Sequence, residues 1–300
     1  MKRLWPLLLV SVLMVGCQKE LLEASRGDIC LGYTLPSGNE LGEYKSSIDT
    51  LTWLVYDDGG RLVYQLRMTP RQYFMLDELP DGRYTVVCMA NITGRTAVTG
   101  EDDLEQLMVK ADTRQADGWY DNTDHLFWQM GTFVVAEGHS RVELPLADVH
   151  CHLHVQVRWK TLPRQVGNWT LRLYDVPLAY QAGMLGRTLE GLPHPLADEN
   201  ELGEHRIDVR LLNYELDGLF TTFRWTNAHI PALQVWCGDE PASPLMGLEK
   251  AFETWHWYPD RTIAQDYWLV VTIADDGTAE VKVASRFGVA DWIDGGVIGG

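Results

Sequence analysis

Apolar residues along this chain recur mostly at alternate positions, the period of a β-strand, in short runs cut by Gly, Pro and Asp. Residues 29–35 read as a first strand between glycine-rich breaks. Residues 48–56 and 61–68 flank Asp57-Asp58-Gly59-Gly60, a hairpin signal. The earlier of the two carries apolar residues on both faces, Leu51, Trp53 and Val55 against Leu54 and Tyr56, which predicts a central strand. Residues 73–79 and 84–91 flank the turn Pro80-Asp81-Gly82, and 126–135 and 141–146 read as another hairpin across Glu137-Gly138-His139. In 149–159, Val149, Cys151, Leu153, Val155 and Val157 alternate with His150, His152, His154, Gln156 and Arg158, which predicts one core face and one polar face.

The pattern then breaks at 162–167 and restarts with strands over 169–175, 206–214, 219–225 and 233–237. A closing hairpin spans 266–274 and 278–283 across Asp275-Asp276-Gly277, and 181–204 reads as a long Gly/Pro-rich loop. Helical spacing is confined to 99–111, where Leu104, Leu107 and Met108 share a face behind the acidic Glu101–Asp103 turn, and to 246–252. The expectation is an all-β chain of two tandem β-sandwich domains, 17–162 and 163–300, with short helical insertions.

One apolar run is of a different kind. Behind Lys2 and Arg3, residues 4–15 form a short h-region that ends in Gly16-Cys17. It is too short to span a membrane and has the layout of a secretory signal, so residues 1–16 are excluded from the fold. The cysteine directly after Gly16 makes the segment resemble a bacterial lipoprotein signal, which implies that Cys17 is acylated and becomes the mature N-terminus. Met14 stands where that pattern prefers leucine. Gln18-Lys19-Glu20 resembles the charged signals that send some Bacteroidales lipoproteins to the outer face of the outer membrane. A lipid at Cys17 is the expected membrane attachment.

The net charge of −17 over 300 residues repels phosphate backbones and anionic headgroups, which argues against nucleic acid and against a polybasic membrane dock. Twelve tryptophans are many for this length, and most lie in strand-like runs, which favours core over sugar-stacking platforms. Cys30, Cys88, Cys151 and Cys237 match no zinc or CxxC spacing. An exported protein permits disulfides between them, but a chain this long does not need staples, and buried thiols fit equally well.

The sharpest chemical candidate is the histidine face. His150, His152 and His154 would lie on one side of a strand, neighbours about 7 Å apart by the strand repeat, close enough to share a zinc or copper ion. With no carboxylate recognised at a matching spacing, the reading is a solvent or inter-domain face with no resident metal or cofactor. Trp255, Trp257 and Tyr258 with His256 would form either a glycan platform or one buried row; the row is favoured because Pro259 then ends the segment. The chain carries no nucleophile elbow, zincin helix, P-loop or dinucleotide fingerprint, and its carboxylates concentrate in turns. An enzyme is not expected, and no catalytic residue is assigned.

The string LPDGRYTVVCMAN resembles the edge of transthyretin-like and immunoglobulin-like sandwich domains, where a Leu-Pro-x-Gly-x-Tyr turn feeds a core strand. Together with TWLVYDDGGRLV, TDHLFWQM, QDYWLVVTI and ADWIDGG, in that order over the mature chain, it resembles the FimB-type fimbrial anchor lipoproteins of Bacteroidales, base subunits of type V pili. The resemblance implies two transthyretin-like domains, a lipid on Cys17, shaft or accessory subunits as partners, and a role in holding the fibre to the outer membrane and limiting its length. Shaft precursors of such pili lose an N-terminal segment to an arginine-specific protease. Arg26 is the corresponding arginine here, but no long removable strand follows the leader, so retention is expected. A tip or accessory subunit and a surface glycan-binding lipoprotein are the competing classes.

Overall fold

The structure is a computed structural model that describes residues 29–35, 48–71, 73–76, 79–136, 140–181, 194–196, 201–262 and 265–284. The signal segment, Cys17, Arg26 and the tail containing Trp292 lie outside the described residues. The first half contributes β1 (Ile29–Thr34), β2 (Leu51–Tyr56), β3 (Leu62–Met68), β4 (Tyr73–Leu76), β5 (Gly82–Ala90), β6 (Thr96–Thr99), β7 (Met108–Ala111), β8 (Phe127–Val135), β9 (Ser140–Pro145) and β10 (Ala147–Asp148). There follow β11 (His150–Trp159), β12 (Trp169–Pro177), β13 (Ala179–Gln181), β14 (His194–Leu196), β15 (Leu202–Val209), β16 (Glu215–Phe223), β17 (Ala232–Cys237), β18 (Glu240–Pro241) and β19 (Met246–Gly247). After the helix α1 (Glu249–Thr254) and a 3-10 turn at Pro259–Arg261, the hairpin of β20 (Gln265–Ile273) and β21 (Ala279–Val283) closes the described chain.

The first half is built around the sheet β10-β8-β5-β2-β3, which is covered on both faces. On one side lies β4-β1-β9, and the core between them holds Ile29, Leu31, Leu51, Trp53, Val55, Val86, Cys88 and Phe133. On the other lies β14-β13-β7-β6, over Leu54, Tyr56, Val87, Met89, Trp128 and Tyr180. Successive residues of a strand point to opposite faces, so β2 and β5 must be apolar at nearly every position, and all of β2 is buried as its sequence predicts. Each such side chain contributes about 1.5–3 kcal/mol of burial, which is why this sheet tolerates so few polar residues. The second half packs β16-β11-β20-β21 against β15-β12-β17-β18 over a separate core that includes Leu153, Leu171, Phe220, Val235, Leu269 and Val271.

Turn chemistry behaves as written at β2–β3 and β20–β21. Asp57 Oδ1 accepts the N–H groups of Gly59 and Arg61, both at 2.9 Å, while Gly60 takes φ +78°. Asp276 Oδ1 accepts from the Thr278 amide and hydroxyl at 3.0 and 2.7 Å, beside Gly277 at φ +82°. Elsewhere the expectations need correction. The pair 126–135 and 141–146 is not a hairpin: β8 joins β5 and β10, whereas β9 runs parallel to β1 in the facing sheet. The turn Pro80-Asp81-Gly82 likewise leads from β4 in one sheet to β5 in the other, fixed by the Tyr84 hydroxyl donating to the Pro80 carbonyl at 2.8 Å.

Residues 99–111 are not a helix. Gly100 at φ +69° opens a series of turns in which Gly100 and Asp103 carbonyls accept the Asp103 and Gln106 amides, and Asp103 Oδ1 accepts the Glu105 amide. Asp side chains compete in this way with helical bonding, and Val98 opposite Val109 then closes the β6–β7 hairpin. The helix in the 246–252 region starts later, at Glu249.

Strand pairing also departs from the division at 162/163. The strand expected to end the first domain, β11, is the centre of a second-half sheet, pairing with β16 and β20. The chain crosses between halves at Val149, and β13 returns to pair with β7 of the first half. The polar break at 162–167, where Val166 is 99% exposed, connects the two sheets of the second sandwich. A sheet-to-sheet turn and a linker share the same composition, while the crossover lies in the alternating stretch 146–159, which has no Gly or Pro to mark it. Of the expected loop 181–204, the described parts are the last residue of β13, strand β14, Glu201 and the start of β15.

Candidate functional site

The crossover between halves gathers the most concentrated polar chemistry of the described residues. Asp148, last residue of β10, is 5% exposed. Its Oδ2 lies 2.7 Å from His125 Nε2 and 3.0 Å from His152 Nε2, and its Oδ1 accepts the His150 amide at 3.0 Å. Three segments therefore converge on one carboxylate: the stretch entering β8, the end of β10 and the start of β11. Burial pushes the Asp148 carboxyl up, but hydrogen bonds from His125 and His152, with their charge, outweigh it and hold the group well below the usual carboxylate range. On the far side of His152, Nδ1 is 3.5 Å from the Thr221 hydroxyl. The order carboxylate, imidazole, hydroxyl is that of a nucleophilic triad, but Thr221 is locked mid-strand, its amide held by Asn122 at 3.0 Å.

The three histidines singled out on β11 thus part company, and their side of the strand is not a solvent face. His150 is fully buried against the rings of Tyr180 and Phe223, and that burial pushes its imidazole well below its ordinary pKa, with Asp148 opposing. His154 stacks flat on Trp268, centroids 3.7 Å apart and planes 4° apart, with Nε2 3.3 Å from Asp266 Oδ1. Only His152 joins the cluster, and its partners His125 and Asp148 were missed. The signal was present: Asp148 stands two residues before His150 in the same string, and His125 lies inside TDHLFWQM.

Around the cluster the halves are tied further. The Tyr180 hydroxyl on β13 donates to the Val149 carbonyl and accepts the Arg224 amide at 2.6 Å. The loop around Tyr120 pairs with β15, where the Tyr120 amide meets the Glu204 carbonyl at 2.8 Å and the Tyr120 carbonyl accepts the Arg206 amide at 2.9 Å. His205 is fully buried under that contact, and burial lowers its pKa to about 4, partly offset by the Asp121 backbone.

The tryptophans behave largely as core. Trp53, Trp128, Trp169 and Trp225 are buried, and half-exposed rings are covered on one face by the chain itself: Trp268 by His154, Trp236 by the Arg172 guanidinium at 3.5 Å, Trp119 by Arg206 at 5.4 Å. Trp255, Trp257 and Tyr258 do not form a strand row. His256 takes φ +54° just after α1, so the segment turns; Trp257 packs on Phe252 and Tyr267, while Tyr258 stays 41% exposed. Cys30, Cys88, Cys151 and Cys237 are free thiols. No helix among the described residues is long and apolar enough to cross a membrane.

A layered all-β scaffold whose buried polar groups fasten its own parts together defines a protein of the β-sandwich class. The family model of the fimbrillin-A associated anchor proteins Mfa1 and Mfa2 matches residues 38–182, so over that stretch the chain is similar to this fimbrial anchor family. Its fold is similar to the fimbrial anchor protein Mfa2 from Porphyromonas gingivalis, with 15% identity, TM-score 0.62, and 91% of this chain and 99% of that one covered. It is also similar to a protein of Bacteroides ovatus provisionally described as an adhesin (13%, TM-score 0.63, 91% and 97% covered). A third likeness is to a Bacteroides thetaiotaomicron protein provisionally described as polysaccharide-binding (12%, TM-score 0.63, 87% and 96% covered). No protein of curated function matches.

Proposed function

We propose that this chain is the anchor subunit of a fimbrial fibre, held in the outer membrane by acyl chains on Cys17, bound to a shaft or accessory subunit by strand addition, and limiting fibre length. The match to the anchor family over residues 38–182 carries this reading. The arrangement of β1 refines it. This strand begins three residues after Arg26 and already fills the middle of its sheet, with Ile29 and Leu31 buried between β4 and β9. Cutting at Arg26 would leave it in place, so the partner's strand must use another edge. Among the described residues, β3 pairs with β2 alone and exposes alternate side chains, including Val63 at 44%. Several acyl chains on one cysteine would hold against a pull that a single chain would not. The chain's own side chains cover one face of Trp119, Trp236 and Trp268, which weighs against a glycan platform.

Deleting the gene in its native host should give fibres that are longer or shed into the medium, and a Cys17→Ala copy should not restore attachment. Unchanged length and unchanged cell-attached fibre in the deletion strain would refute the anchor reading.

A further inference from the structure

We propose that His125, Asp148 and His152 bind one zinc ion, which clips the two halves of the molecule together. The inference stands on this cluster alone and does not depend on the anchoring role.

The three donors, His125 Nε2, Asp148 Oδ2 and His152 Nε2, lie within 4.8 Å of one another. Two nitrogens already approach the same oxygen, at 2.7 and 3.0 Å. An ion with bonds of about 2.0–2.1 Å in tetrahedral geometry sets its ligands roughly 3.3 Å apart, so the two nitrogen–oxygen separations would widen by about 0.3–0.6 Å while the two histidine nitrogens, within 4.8 Å of each other, meet across the ion. His125 can supply that movement. Its side chain is 24% exposed, whereas those of His152 and Asp148 are 7% and 6% exposed and fixed in the junction.

The donor set selects the ion. Two imidazoles and one carboxylate suit zinc and its neighbours in the first transition row, whereas calcium and magnesium require a shell of oxygens. The surroundings fit as well. Asp148 is oriented through its second oxygen by the His150 amide, and His152 faces the Thr221 hydroxyl with the ring nitrogen that would point away from the ion. Ligands oriented from behind in this way are the usual second layer of a zinc site. With three protein ligands, the fourth position falls to water on the solvent side of His125.

Because the ligands come from the entry to β8, the end of β10 and the start of β11, they converge only while β10 stays in the first-half sheet and β11 in the second-half sheet. Ion binding is therefore coupled to the closed junction and stabilises it.

The test uses the full soluble chain beyond Cys17, stripped with a chelator and titrated with zinc chloride by calorimetry. One zinc per chain is expected, and zinc at a hundred times its Kd should raise Tm by about 5 °C or more. Calcium and magnesium should do neither. His125→Gln, at the solvent rim, should weaken zinc binding at least tenfold and cut the Tm shift to about half or less at the same zinc concentration, while the partly buried His229→Ala, away from the cluster, should leave both unchanged. If the rim variant does not fold, diffraction from zinc-soaked crystals at the zinc absorption edge decides the matter by placing the ion between these three residues or elsewhere. Absence of stoichiometric zinc on the native chain, equal binding by His125→Gln, or an anomalous peak at another site overturns the proposal.

Discussion

Replacing His205 by Phe should flatten the acid limb of the stability curve. His205 is fully buried on β15, its ring centroid 5.8 Å from that of Tyr120, and burial lowers its pKa from 6.5 to about 4. A depressed folded-state pKa means that the unfolded chain takes up the proton first as pH falls. Stability attributable to a neutral His205 is therefore complete above about pH 6.5, is lost progressively down to about pH 4, and changes no further below that. The gap of about 2.5 units at 1.36 kcal/mol each sets a limit of about 3.4 kcal/mol, of which about 2 kcal/mol falls between pH 6.5 and 4.5. Urea unfolding of the native chain and of His205→Phe, followed by tryptophan fluorescence at a series of pH values across this range, reads the difference directly. Phe keeps an aromatic ring against Tyr120 but cannot protonate, and every other titrating group is common to both chains, so the difference isolates His205. The native chain should lose about 2 kcal/mol more than the variant from pH 6.5 to 4.5. Parallel curves would refute the claim that burial holds this imidazole neutral.

Leu31→Ala, in the middle of β1 at 0% exposure, should cost about 3 kcal/mol in urea unfolding, and a cost under about 1 kcal/mol would contradict its place in the core. Gly100→Ala should cost about 2 kcal/mol or more, because the residue sits at φ +69° and a Cβ there would lie 2.1 Å from the Gln106 carbonyl oxygen. A tryptic nick at Arg164, in the segment between β11 and β12, should leave the two pieces associated on a sizing column, since the β11–β16, β11–β20 and β7–β13 pairings all cross the cut. Separation into two independently folded fragments would instead restore a domain joint at 162–167.

What was legible in the sequence follows the range over which each signal acts. The doubly apolar β2 and the Asp-Gly turns of β2–β3 and β20–β21 are decided within a few residues, and they stand where they were read. Partner choice is decided at long range. Nothing within 126–146 distinguishes a hairpin from two strands that part to opposite sheets, because both need the same turn and the same alternation. The cluster at the crossover failed for a related reason. Reading β11 as one strand with a wet face put His150, His152 and His154 in a row, whereas the change of sheet at Val149 turns Asp148 back toward His152 and brings in His125 from a segment 23 residues earlier than Asp148. The aromatic triplet at 255–258 failed locally, through the positive φ of His256, which no strand pattern anticipates.

If Cys17 carries the proposed lipid, tension from it would reach β1 first, since β1 is the first described strand after Cys17 in the sequence. The strand has β9 on one side, in register over six pairs, and β4 on the other over four. A pull along the strand loads these ladders in shear, so that many backbone hydrogen bonds must yield together, whereas a pull on the free end of an edge hairpin opens its bonds one at a time. Central placement is therefore the stronger arrangement for an element under such a pull, and under the proposed anchor role it would favour keeping the strand after Arg26. The load then reaches the second sandwich through the Val149 crossover and the β13–β7 pairing. At that crossover, the buried Asp148 bridging His125 and His152, with the Tyr180 hydroxyl between the Val149 carbonyl and the Arg224 amide, opposes separation of the halves.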